Sequence, residues 1–238
     1  MNTYFITGTD TDAGKTVAAC AFVQYLVKQS QQVAVMKPVA SGCHWQNGQL
    51  VNEDALNLMR QSNTSFDYDR VNPYTFEAAI APHIAAADSG VVIDKERLLK
   101  AVDWFHERPI DSLVIEGAGG WQLPLASGLR MPQVVKEVNA KVVLVVGLKL
   151  GCLNHARLTA EAIAADGLTL AGWVGSVVDS AFADDSPRFA ANVALLKRAL
   201  PAPCLGIIPH LATADAPTAQ YYLSLDALLP LATQEATP

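Results

Sequence analysis

The chain has few of the features that mark secreted, membrane or nucleic-acid-binding proteins. Its cysteines are few and scattered, with no C-x-x-C pair, and they are Cys20, Cys43, Cys152 and Cys204. This spacing disfavours a zinc site or a disulfide framework and indicates reduced thiols, with Cys20 and Cys204 in apolar, core-like runs. No apolar run approaches the ~20 residues of a membrane span. With 17 Lys and Arg against 23 Asp and Glu, neither nucleic acid nor an anionic membrane is expected as a partner.

The N-terminus also lacks a targeting pattern. The opening MNTYFITG has no basic segment followed by an apolar one, so we expect no signal peptide and a cytoplasmic location. The hydrophobic share of 51% and the length of 238 residues suit a single α/β domain over residues 1–229. Residues 230–238 are predicted to form a flexible tail.

Strand-like apolar runs alternate with helical patterns along the chain. Strands are predicted at 4–7, 33–36, 113–116, 142–147, 170–178 and 205–208, and helices at 15–28, 53–61, 95–106, 157–165 and 187–200. Residues 63–90 lack a clean period and predict a long ordered loop or short helices. Buried aliphatic runs separated by helices are typical of a mostly parallel sheet with helices on both faces. Ligands of such sheets bind beyond the carboxyl ends of the strands.

A phosphate-loop pattern follows the first predicted strand. The stretch GTDTDAGKT, residues 8–16, resembles G-x-x-x-x-G-K-[ST], but five residues separate its glycines where the pattern has four. Backbone N–H groups of such a loop cradle phosphates, while Lys15 reaches the terminal phosphates and Thr16 can bind Mg²⁺. The fold is therefore predicted to be P-loop NTPase-like. A chance match in a Gly/Thr-rich turn is the alternative.

Charged residues stand where other predicted strands end. Lys37 and Lys149 follow two strands, and Glu116 is predicted to end a third, before a glycine-rich segment. With Lys15, these lysines would stabilise the negative charge of phosphoryl transfer. A carboxylate after buried aliphatic residues is costly unless it is paired or bound to metal, so Glu116 is a candidate Mg²⁺ ligand. Asp54 is either an ordinary first-turn helix acid or a further Mg²⁺ ligand.

The segment after the fourth predicted strand offers another anion site. Gly151, Cys152, Leu153 and Asn154 open the next helix with free backbone N–H groups, which suit a carboxylate or a phosphate. Cys152 and His155 could form a thiol nucleophile and its base. A small buried cysteine and an exposed histidine is the favoured interpretation, since no orienting acid follows.

Taken together, several motifs resemble the dethiobiotin synthetase family. The resemblance is collinear over residues 3–211 and is carried by GTDTDAGKT, KPVASG, NPYTF followed by APH, EGAGGW, and VVGLKLGCLNHARLTAEAI leading to GLTLAGWV. The family's loop carries the same extra residue. The resemblance implies a ligase of biotin biosynthesis that uses ATP, Mg²⁺ and CO₂ or bicarbonate to close 7,8-diaminopelargonate into a cyclic urea. It also implies a homodimer with the substrate at the subunit interface.

The resemblance implies roles for particular residues. Lys15, Lys37 and Thr11 would be catalytic, and Thr16, Asp54 and Glu116 would bind Mg²⁺. The nucleotide would be bound by Asp12, Ala13, Gly14, Lys15, Thr16, Val17, Glu116, Gly117, Ala118, Gly119, Ser176, Pro209, His210 and Leu211. The substrate would be bound by Ser41, Lys149, Gly151, Cys152, Leu153 and Asn154, the last four from the other subunit. Ser176 departs from the family's adenine-reading Asn, which leaves base preference open.

Other functions on the same fold are less compatible with the sequence. A ParA/MinD-like switch ATPase would carry an early lysine in its phosphate loop, where this chain has Thr9 and Asp10. A glutamine-using amidoligase would need a further glutaminase domain. A P-loop kinase with an unknown acceptor is the remaining enzymatic alternative.

Overall fold

A computed structural model describes residues 1–214 and 217–229, and the predicted tail 230–238 lies outside them. Strands β1 to β12 span Asn2–Gly8, Val33–Met36, Val39–Ser41, His44–Gln46, Gln49–Val51, Tyr74–Phe76, Ser112–Gly120, Pro124–Ala126, Leu129–Arg130, Lys141–Leu148, Leu170–Val177 and Cys204–Ile208. Helices α1 to α9 span Lys15–Lys28, Glu53–Gln61, Tyr68–Val71, Pro82–Asp88, Lys95–His106, Met131–Glu137, Cys152–Ala165, Ser180–Asp184 and Ser186–Ala199. A 3₁₀ turn spans Ala219–Tyr222.

Six strands form the central sheet in the order β12-β11-β10-β1-β7-β2, and every neighbouring pair is parallel. Side chains of β1 alternate between the two faces, because Phe5 packs into one buried cluster and Tyr4 and Ile6 into another. Helices α1 and α2 cover one face, and α5, α6, α7 and α9 cover the other. The predicted fold class, a mostly parallel sheet with helices on both faces, is confirmed.

The helices and strands of the sheet agree closely with the sequence patterns, with two corrections. Helix α7 begins at Cys152, as the motif over residues 151–154 predicted, and not near residue 157, where the periodic pattern placed it; Gly151 before it has a φ of 94°. Strand β7 does not end at Glu116 but continues to Gly120, where Gly120 pairs with Gly8 of β1. A carboxylate in mid-strand is possible here because a buried lysine pairs with it.

Residues 63–90 contain the short helices α3 and α4, which flank strand β6. Short helices were one of the two predictions for this segment, the other being a long ordered loop. Strand β6 pairs with β3, and two antiparallel hairpins, β4–β5 and β8–β9, lie outside the main sheet. None of the helices within residues 1–214 and 217–229 is long and apolar enough to cross a membrane. Cys20 is buried as expected, whereas Cys204 is only half-buried because it begins the edge strand β12.

Candidate active site

The phosphate loop connects β1 to α1 at the carboxyl edge of the sheet. Gly14 adopts a φ of 81°, and a Cβ at this position would lie 2.2 Å from Ser176 Oγ, so only glycine fits. Lys15 Nζ donates to the backbone oxygen of Asp10 at 2.8 Å. The loop therefore curls back over its own lysine, and Ser176 of strand β11 packs against it at Gly14.

A buried cluster of one lysine and two carboxylates lies beside this loop. Lys37 Nζ donates to Glu116 Oε1 at 2.6 Å, to Asp54 Oδ2 at 3.1 Å and to the Gly117 backbone oxygen at 3.4 Å. The Thr16 hydroxyl donates to the same Glu116 Oε1 at 3.0 Å. The predicted metal ligands Thr16, Asp54 and Glu116 are therefore brought together, with Lys37 in contact with both carboxylates.

Burial and charge shift the pKa values of this cluster in opposite directions. Burial alone would lower the pKa of Lys37, but the two neighbouring carboxylates raise it above its usual value. Burial raises the pKa of Glu116, although Lys37 opposes this shift. Burial would also raise the pKa of Asp54, yet Lys37 holds it below its usual value. Lys15 has a lowered pKa because burial removes it from water, partly offset by Glu116.

These groups line one cavity of about 440 Å³. Its walls include twelve residues that the sequence placed in the site: Thr11, Asp12, Gly14, Lys15, Thr16, Val17, Lys37, Ser41, Asp54, Glu116, Ala118 and Gly119. Ala13 and Gly117 are buried and do not line the cavity. Convergence of a phosphate loop, two lysines and two carboxylates in one cavity suits the binding of a metal–nucleotide complex and a second anion.

A second groove of about 680 Å³ continues from this cavity. The two share Thr11, Ser41, Ala118 and Gly119, and the groove extends along residues 79–82 and 122–124. Its further walls include the apolar residues Ile80 and Leu123. A ligand with an anionic or amine end and an aliphatic body would match this change from polar to apolar lining.

The predicted contacts to the far end of the substrate lie elsewhere. Lys149 Nζ pairs with Asp10 Oδ2 at 3.5 Å and does not line either of these cavities. Leu153 and Asn154 line a separate groove between α7 and α9. Cys152 is buried, and burial raises the pKa of its thiol, which argues against an activated nucleophile. Within one chain, Lys149 therefore contacts the outer side of the phosphate loop through Asp10, and Leu153 and Asn154 line a groove that shares no wall with the loop's cavity.

The other residues predicted to bind the nucleotide do not line the cavity. Ser176 is buried at the end of β11 against Gly14. Pro209, His210 and Leu211 follow β12, with His210 exposed. The segment that they begin returns to the cavity, since Ala214 forms part of its wall.

Sequence reasoning missed one polar residue of the cavity. Asn52 lines it, and its side-chain oxygen caps α2 by accepting from the N–H groups of Asp54 and Ala55. Its amide also donates to the Ser41 backbone oxygen at 3.5 Å. An asparagine directly before a helix is a capping signal, so its sequence could have identified the cap, but not its contact with Ser41.

Comparisons with known proteins agree on the family. A family model described as an AAA domain matches residues 2–218. The chain is 82% identical over 211 residues to the ATP-dependent dethiobiotin synthetase BioD of Idiomarina loihiensis, covering 89% of this chain and 94% of that protein. It is 45% identical over 232 residues to the protein of the same name from Chromohalobacter salexigens, covering 96% of this chain and 98% of that protein.

Similar solved structures include the cell division protein MinD of Aquifex aeolicus. MinD alone has a TM-score of 0.55 at 15% identity and covers 97% of this chain and 92% of that chain. Its complex with MinC gives a TM-score of 0.58 at 13% identity, covering 93% and 92%. Identities this low show a common fold and leave the switch-ATPase alternative without sequence support. By its sequence relatives, the chain belongs to the ATP-dependent dethiobiotin synthetase family.

Proposed function

We propose that this chain closes 7,8-diaminopelargonate with CO₂ into dethiobiotin, the penultimate compound of biotin synthesis, at the expense of ATP. One observation carries the proposal: the cavity that holds the phosphate loop also holds Lys37 and opens directly into a groove with apolar walls. A switch ATPase needs the first part of this site but has no use for the second. The 82% identity to a named dethiobiotin synthetase supports the same choice.

The residues of the cavity fit a bound Mg²⁺. Glu116 Oε2 is buried and has no hydrogen-bond partner, an expensive arrangement unless a ligand meets that oxygen. No set of three or more His, Cys, Asp or Glu side chains in the described part of the chain forms a metal site. Mg²⁺ is commonly held by one or two carboxylates together with phosphates and water. Thr16, Asp54 and Glu116 would hold it, and the ion would neutralise charge on the phosphates.

The reaction begins with a carbamate. One amine of the substrate attacks CO₂ and loses a proton, and a carbamate oxygen then attacks the γ-phosphorus of ATP, releasing ADP. The resulting carbamic–phosphoric anhydride is attacked at its carbonyl carbon by the second amine. That amine loses a proton, the cyclic urea closes and phosphate leaves. Each step before closure concentrates negative charge between the substrate and the phosphates.

The lysines and Thr11 meet this demand. Lys15 and Lys37 both line the cavity and would hold the γ-phosphate and the carbamate close together, which lowers the electrostatic cost of bringing two anions into contact. Thr11 and Ser41 lie at the boundary shared with the apolar groove. They would hydrogen-bond the reacting end of the substrate while its aliphatic body lies along Ile80 and Leu123.

A homodimer would complete the substrate site. Within one chain, Leu153 and Asn154 line a different groove, so a contact with the substrate's carboxylate would have to come from the second copy. The N-terminus of α7, with Gly151 in a left-handed conformation, would then offer backbone N–H groups to that carboxylate. We also propose a cytoplasmic location, which the four free cysteines support.

The test is ADP release by the full chain with the diamine and bicarbonate omitted in turn. We expect ADP and dethiobiotin, identified by mass, to form in equal amounts only when both are present. ADP formed at the same rate without the diamine would contradict the proposal. Bicarbonate labelled at carbon should give a product labelled at the carbonyl carbon of its urea ring. An unlabelled ring would contradict the carbamate step.

A further inference from the structure

The buried lysine occupies the place that the proposed metal ion needs. Lys37 Nζ lies 2.6 Å from Glu116 Oε1 and 3.1 Å from Asp54 Oδ2, the same two carboxylates that would bind Mg²⁺. An ammonium group has three N–H donors and no acceptor. All three have acceptors here, the third being the Gly117 backbone oxygen at 3.4 Å. In this arrangement Lys37 has no N–H left for a substrate anion.

From this geometry we propose that Lys37 is a built-in counter-cation that Mg²⁺ displaces, so that binding of the metal releases the lysine toward the substrate anion. The inference rests on the proposed function for the identity of that anion, a carbamate. It adds a coupling between two ligands: because linkage is reciprocal, an anion that draws Lys37 away also strengthens metal binding.

The charges of the cluster explain why an exchange is needed. The side chain of Glu116 is 1% exposed and that of Lys37 is 4% exposed, and a buried carboxylate without a counter-charge is strongly destabilising. Lys37 supplies that counter-charge while no metal is bound. A divalent ion contacting both carboxylates would replace it, because lysine and metal then compete for the same oxygens.

The structure also offers a path for the exchange. Asp54 is 42% exposed at its side chain, so an ion can reach its carboxylate from the cavity before it reaches Glu116. The unpartnered Glu116 Oε2 gives the ion a first contact in the interior that does not require Lys37 to leave. Movement of Lys37 would free Glu116 Oε1 and Asp54 Oδ2 for the ion, and Lys15, held by the Asp10 backbone oxygen, would not need to move with it.

The exchange is tested by Mn²⁺ affinity of the nucleotide-free full chain, measured calorimetrically. Lys37→Met removes the competitor and should tighten Mn²⁺ binding by about tenfold or more, within the usual size of a coupling between two binding events. Lys15→Met is the matched control, because it removes one charge from the same cavity but no contact with either carboxylate. An equal effect of the two variants, or no tightening in Lys37→Met, would overturn the exchange.

A second measurement uses the unaltered protein, so that a poorly folding Lys37→Met variant leaves the test intact. Crystals grown with Mn²⁺ and ADP should show the ion, by its anomalous signal, at Glu116 and Asp54, with Lys37 Nζ beyond about 4 Å of both carboxylates. An ion on Glu116 Oε2 with Lys37 still on Oε1 would overturn the exchange. Neither measurement uses the diamine, so failure here and failure of the proposed reaction are distinguishable.

Discussion

Replacing Lys37 by alanine should reveal a structural role and a catalytic role that can be separated. The substitution removes the partner of buried Glu116 at 2.6 Å, and breaking a buried ion pair from one side costs about 3–5 kcal/mol of unfolding free energy. Turnover should fall by about 10²–10³, the effect of losing one preorganised electrostatic contact to the transition state. ATP binding should persist because the phosphate loop keeps Lys15.

The pH dependence of this loss follows from Glu116. Lys37 opposes the upward shift that burial gives the Glu116 pKa, so without Lys37 the carboxyl holds its proton to a still higher pH. The protonated group is neutral and inexpensive to bury, and the charged group is not. The stability deficit of Lys37→Ala should therefore be smaller at acidic pH and grow as pH rises through the raised Glu116 pKa. Urea unfolding at a series of pH values measures it.

Two further variants test the structural role and the catalytic role of Lys37 separately. Lys95→Ala is the control, since Lys95 pairs with Glu137 at the same 2.6 Å but on the surface, and we expect no measurable loss of stability. In the double variant Lys37→Ala, Glu116→Gln the buried charge is gone, so stability should return, while turnover stays low because both Lys37 and the proposed Mg²⁺ ligand Glu116 are lost. Recovery of turnover together with stability would refute a catalytic role for Lys37. A single variant as stable as Lys95→Ala would refute the buried-pair reasoning.

Three other predictions concern the phosphate loop. Asp12 lines the cavity with a φ of 57°, a conformation that Asn also tolerates. The variant Asp12→Asn should raise the KM for the diamine and not the KM for ATP. An unchanged KM for the diamine would count against a substrate contact. Gly14→Ala should abolish ATP binding by calorimetry, whereas Gly48→Ala, at a φ of 78° with open space around it, should not. The resemblance implies that Ser176 stands where many members of the family have Asn, so we expect GTP or CTP to compete with ATP for turnover. Strict ATP use would place base recognition elsewhere.

The elements of the sheet were predictable because their patterns are local. Helices α1, α2 and α5 begin and end where their sequence patterns predicted. Helices α2 and α5 each follow a capping residue, Asn52 or Asp94, and bury one face, whereas α1 is buried nearly all round and directly follows the phosphate-loop motif. The short strands outside the main sheet were not predicted. Strand β3 pairs with β6 across more than thirty residues of chain, and three-residue strands carry too few side chains to show a period of two.

Most residues that line the cavity were also predictable, but their contacts with one another and the separate location of residues 149–154 were not. Ligand sites of parallel sheets lie at the carboxyl edge, so Lys15, Lys37 and Glu116 could be grouped from the sequence even though Glu116 lies within β7 and not at its end. Which carboxylate pairs with which lysine depends on ångström-scale geometry that spacing does not contain. The exchange proposed for Lys37 could therefore be inferred only from the distances.

Asp10 and Asp12, the two acids of the overlong phosphate loop, have different surroundings. Asp10 is turned away from the cavity: its carboxylate accepts from the Thr11 N–H at 2.8 Å and pairs with Lys149, while its backbone oxygen accepts from Lys15. Asp12 instead lines the cavity. An acid beside the phosphates would repel them unless cations lie near it. Lys15 is one such cation, since the charge of Asp12 acts on its pKa, and we propose that the diamine, which is cationic before it reacts, is a second that the acceptor of an ordinary kinase would not supply.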